Sequence, residues 1–63
     1  MILINDLVSD DIITYGGEYK DSGCGIYGIQ FLEDELNLEL SPQQAVTLCK
    51  KLKEHLEING HKL

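Results

Sequence analysis

Residues 35–58 read ELNLELSPQQAVTLCKKLKEHLEI, and they contain the change of period that decides the fold. Up to Leu40 the apolar residues alternate. Leu36, Leu38 and Leu40 share one side, and Asn37 and Glu39 take the other. A period of two belongs to a strand with one covered face. From Ala45 the spacing becomes three and four. Ala45, Leu48, Cys49, Leu52 and Leu56 fall in one helical stripe about 100° wide, with Lys50, Lys51, Lys53, Glu54 and Glu57 outside it. Between the two patterns, Ser41-Pro42-Gln43-Gln44 is a helix start. Ser41 can cap free N–H groups, Pro42 suits the first helical position, and Gln44 completes a capping box. Asn59-Gly60 is the stop, because glycine takes the left-handed conformation that ends a helix. The pattern predicts a helix over 42–58, entered from a strand without a linker. Leu52 sits within the stripe as a core residue, so truncation to Ala is expected to cost roughly 2–5 kcal/mol.

Working upstream, Tyr27, Ile29 and Phe31 alternate within residues 26–32 (IYGIQFL), which predicts a second strand. Glu33-Asp34 then forms a short polar turn into residues 35–40, making a hairpin. Ile12, Ile13, Thr14 and Tyr15 have β-propensity and predict a third strand. Residues 1–8 fit a strand or a short helical turn equally. Residues 16–25 (GGEYKDSGCG) hold four of the six glycines and read as a mobile loop. The expected fold is α+β: a three-stranded antiparallel sheet, a β-meander, with one C-terminal amphipathic helix on one face. Residues 1–63 form one domain. One helix covers only one sheet face. Met1–Ile4, Leu7 and Val8 supply more apolar residues than its stripe needs, so a homodimer is one expectation.

A chain of 63 residues buries only about 60% of its unfolded surface, and small scaffolds usually add a staple or a partner. Two cysteines, Cys24 and Cys49, do not make a disulfide framework and read as thiols of a reducing compartment. The start, MILINDLVSDD, turns acidic at once and lacks the basic region of a signal peptide. No apolar run reaches the length of about 20 residues that spans a bilayer. A cytoplasmic protein is the expectation.

Charge is distributed unevenly. The net charge is −6. Residues 1–40 carry Asp6, Asp10, Asp11, Glu18, Asp21, Glu33, Asp34, Glu35 and Glu39 against Lys20 alone, a charge of −8, whereas residues 41–63 carry +2. Such a field repels nucleic acid and anionic lipid and steers basic partners inward. The expected partner is therefore a protein with a basic surface, with no direct nucleic-acid or membrane binding. Glu33, Asp34 and Glu35 at the turn, joined by Asp10 and Asp11, are the candidate contact residues. As turn-tip acids they are not expected to matter for folding. Tyr19, an aromatic beside acids, is a candidate anchor.

No reaction is indicated. The glycine-rich stretch lacks GK[ST] and leads into a strand rather than a helix, so it is not a phosphate cradle. A Cys24 nucleophile would need a nearby cation or helix start. The candidates, His55 and His61, stand at the far end of the helix with no spacing that brings them to it. His55 and His61 are six apart and do not share a helical face, and the acids match no calcium loop. No catalytic residue, metal or cofactor is expected.

The segment Leu38-Glu39-Leu40-Ser41-Pro42-Gln43-Gln44-Ala45, with the stripe ending at Leu56, resembles the strand–helix junction of short acidic bacteriophage and mobile-element proteins of the anti-CRISPR and anti-restriction kind. The likeness covers about the last 25 residues and rests on size, charge and plan, so no functional residue is carried over. It implies a non-enzymatic inhibitor of a basic, nucleic-acid-handling host protein. The alternative is a homodimeric structural or accessory module whose acidity only serves solubility.

Overall fold

The computed structural model describes residues 1–20 and 23–63; Asp21 and Ser22 of the glycine-rich stretch lie outside the described residues. Strands β1 (Ile12–Glu18), β2 (Gly25–Phe31) and β3 (Leu36–Leu40) are followed by helix α1 (Pro42–Ile58). The strands form one antiparallel sheet in the order β1-β2-β3. This is the α+β architecture expected from the two periods. Cross-strand pairing sets Tyr27 against Leu40, Ile29 against Leu38 and Phe31 against Leu36, so the two alternating sets share one face. Thr14, opposite Ile29, and Ile12, opposite Phe31, extend that face onto β1.

The helix has the predicted bounds because its signals are local. The Ser41 side chain accepts from the Gln44 backbone N–H at 3.2 Å, and the Gln44 side chain accepts from the Ser41 N–H at 3.0 Å. At the far end Gly60, at φ 95°, donates to the Glu57 carbonyl, and His61 donates to that of Leu56, both at 3.0 Å. These two bonds are a Schellman stop.

Three expectations are corrected. β1 runs on through Gly16 and Gly17 to Glu18, so the loop begins at Tyr19 rather than Gly16. Gly16 adopts φ 95° and lies so close to the Ile26 carbonyl that a Cβ would overlap it. A glycine that breaks a helix can let an edge strand bend against its neighbour. The β2–β3 connection takes four residues, Leu32–Glu35, and Glu35 itself holds the left-handed φ of 52°. Residues 1–11 form neither strand nor helix. The backbone N–H groups of Val8 and Ser9 go to the Asp34 carboxylate instead of a ladder.

The helix lies against β2 and β3 and leaves an apolar groove of about 330 Å³, lined by Thr14, Tyr27, Ile29, Leu40, Ala45, Leu48 and Cys49 among others. Tyr27, Ile29, Phe31, Leu36, Leu40, Ala45 and Leu56 are half-buried. Among the described residues no apolar side chain is fully buried. Leu52, expected in the core, is 55% exposed. The helix enters directly from β3, so the groove is lined by side chains of its first half, and Leu52 lies a turn further on. Among the described residues no helix is long and apolar enough to cross a membrane.

Candidate protein-binding surface

The two acidic clusters are 22 or more positions apart in sequence, and the segment that leads into β1 brings them together. Its pivot is Ser9, only 8% exposed. The Ser9 hydroxyl donates to the Asp11 carbonyl at 3.1 Å and accepts from the Glu33 N–H at 3.2 Å. The Leu32 N–H donates to the Asp11 carbonyl at 3.1 Å, adding one rung beyond the Ile12–Phe31 pair. Asp34 closes the arrangement. One carboxylate oxygen accepts from Val8 N–H at 3.1 Å, and the other accepts from Val8 and Ser9 at 3.2 and 3.0 Å.

Asp10, Asp11, Glu33 and Glu35 consequently stand exposed at one end of the sheet. Among the described residues the ion pair present is Lys53–Glu57 at 4.0 Å, on the helix, so none of these four carboxylates is neutralised by a lysine. Asp34 differs from them. It is half-buried and its oxygens are committed to backbone donors. The expectation that all three turn acids are idle in folding is corrected for Asp34: charge-assisted bonds to backbone N–H groups are among the stronger hydrogen bonds.

Tyr19 does not join this cluster. It follows the last residue of β1, at the opposite end of the strand from Asp11, where its N–H donates to the Cys24 carbonyl at 2.9 Å and its side chain is 79% exposed. Two further acids are held by tyrosines that sequence reasoning left unassigned. The Tyr15 hydroxyl lies 2.8 Å from Asn37 Oδ1 and 3.0 Å from Glu39 Oε2. The Tyr27 hydroxyl donates to Glu18 Oε2 at 2.8 Å. The bond to Glu18 pushes the Tyr27 phenol above its ordinary pKa, with smaller contributions from desolvation and the Glu18 charge. The signal that could have found the Tyr15 contact is Gly28, a lone glycine inside a strand, which marks a close approach.

Cys24 lies in the β1–β2 loop and Cys49 on the helix, so the chain does not bring the two cysteines to one element. Among the described residues no three His, Cys, Asp or Glu side chains converge as metal ligands would. Comparison with protein-family models, with curated proteins and with solved structures finds no match to this chain.

Proposed function

We propose that the chain is a non-enzymatic protein-binding inhibitor that sets its acidic end into the basic nucleic-acid groove of a host protein, a phage counter-defence role. The observation that supports this reading is the clamp at Ser9 and Asp34. It gathers Asp10, Asp11, Glu33 and Glu35 into one exposed group with no lysine paired to it among the described residues. Like charges held together cost stability, and a cationic groove would relieve that repulsion. Carboxylates so presented compete with phosphates for Arg and Lys, and their pull on a basic partner falls as salt rises.

The test is a variant with Asp10→Lys, Asp11→Lys, Glu33→Lys and Glu35→Lys that leaves Asp34 in place. A nucleic-acid-binding protein retained by the chain from lysate at low salt is purified and loaded with labelled duplex. The wild-type chain is expected to displace the duplex, less well at high salt, and the variant to fail at both. Equal displacement by the two chains, with no salt dependence, removes the reading and leaves the acidity as a device for solubility.

A further inference from the structure

The apolar surface of this chain is not closed by its own fold. Among the described residues no apolar side chain is buried, and the chain exposes 5664 Å². A compact monomeric protein of 7.1 kDa exposes about 4,100 Å² by the usual scaling of surface with mass. The excess is roughly 1,600 Å². A standard interface removes about 800 Å² from each partner. Half of this excess equals one partner's share of a standard interface, and part of the rest lies in the extended start of the chain, where Met1, Ile2 and Leu3 stand out in solvent.

Exposed apolar residues of the helix and of the sheet flank the groove. Leu48 lines the groove yet is 42% exposed, and Leu52 extends the helix stripe a turn past it at 55% exposure. Leu38 and Ile12 belong to the sheet face that carries the helix, since Leu38 pairs with Ile29 and Ile12 stands two residues from Thr14. Both are exposed.

We propose that a second copy of this chain covers this helix-and-sheet face, closing the groove and burying Leu52. Two observations select a second copy over a foreign partner. A chain of this size without a buried apolar side chain needs its cover whenever it is folded, and a copy of itself is the one partner always present when it is made. The helix also carries both signs around its stripe, with Lys50, Lys51 and Lys53 before Glu54 and Glu57. A two-fold axis that runs two such helices antiparallel sets the lysines of one against the glutamates of the other. The acidic end lies at the Phe31–Leu36 end of the hairpin, next to Ile12 but at the other end of β3 from Leu40 and the groove. Leu52 variants leave its carboxylates intact, so this interface is tested separately from the inhibitor reading.

Sedimentation equilibrium over the micromolar range tests it. The expected mass is twice the 7.1 kDa of one chain, with a melting temperature that rises with concentration. Leu52→Glu is expected to raise the dissociation constant at least tenfold, and Glu39→Gln, on the opposite face of the sheet, to leave it unchanged. If Leu52→Glu does not fold, Leu52→Ser is read in its place. A wild-type chain that stays at single-chain mass, with a melting temperature independent of concentration, overturns the proposal. A dimer indifferent to both Leu52 variants overturns the face assigned to it.

Discussion

The Tyr15 ring lies flat against Gly28 across the β1–β2 ladder, where the two residues are register partners. A Cβ at position 28 would come too close to three of its ring carbons, a steric overlap. Gly28 is buried under it, and the ring reaches over the central strand to the Asn37 and Glu39 side chains on β3. One aromatic side chain therefore ties all three strands on the face that the helix leaves open. An aromatic over a glycine restores the packing that the missing side chain gives up.

Gly28→Ala is expected to destabilise the fold by about 1–3 kcal/mol, the usual range for an overpacked site. Gly28 does not adopt a left-handed φ, so the cost is steric. Denaturant unfolding measures it. Repeating the substitution in a Tyr15→Ala background should remove most of the loss, because the obstructing ring is gone. An undiminished cost in that background would place the obstruction elsewhere.

Asp34→Asn is expected to cost about 1–2 kcal/mol, below the upper range for bonds to charged groups because the site is only half-buried. Hydrogen exchange should quicken at the Val8, Ser9 and Glu33 amides, the donors of the clamp. Glu33→Gln and Glu35→Gln, at exposed positions, should leave both stability and exchange within about 0.5 kcal/mol of wild type. Exchange unaltered by Asp34→Asn would show that the start of β1 is held without this carboxylate.

Tyr27 should ionise above the ordinary tyrosine range. Its hydroxyl holds a proton between two oxygens, and losing that proton leaves phenolate against carboxylate. The raised folded-state pKa makes the contribution to stability complete below the unfolded value and lost as pH rises through the folded one. Tyrosinate absorbance titrated with pH reads this directly. Glu18→Gln should return the late-titrating group toward its ordinary range, and a profile unmoved by that change would deny the bond.

Ser41→Ala removes the acceptor for the Gln44 N–H and is expected to cost about 1 kcal/mol. Far-ultraviolet circular dichroism during thermal unfolding checks it. Ser41→Asp keeps an acceptor at the same place and should restore most of the loss. Equal stability of the Ala and Asp variants would mean that the helix start is held by its junction with β3 alone.

The helix and the hairpin were legible in the sequence because their determinants are neighbours. Ser41 and Gln44 are three apart, the stripe repeats within one turn, and Leu36, Leu38 and Leu40 alternate within five residues. The strand character of Gly16 and Gly17 was not, because a glycine's backbone freedom serves a loop and a bent edge strand alike. The gathering of charge in residues 1–40 was also evident from composition.

What the sequence alone determined, then, is the element order, the bounds of the helix, the face that each alternating strand presents and the sign of each half. Register and docking decided the rest. Asp34 became a clamp because Val8 lies 26 positions away along the chain yet meets its carboxylate. Asp10-Asp11 and Glu33–Glu35 share one end, while Tyr19 stands at the other, because β1 runs antiparallel to β2. Leu52 belongs to an apolar stripe by its spacing, but whether a stripe residue is covered depends on what lies opposite it. Periodicity describes one element at a time, and burial is a property of two.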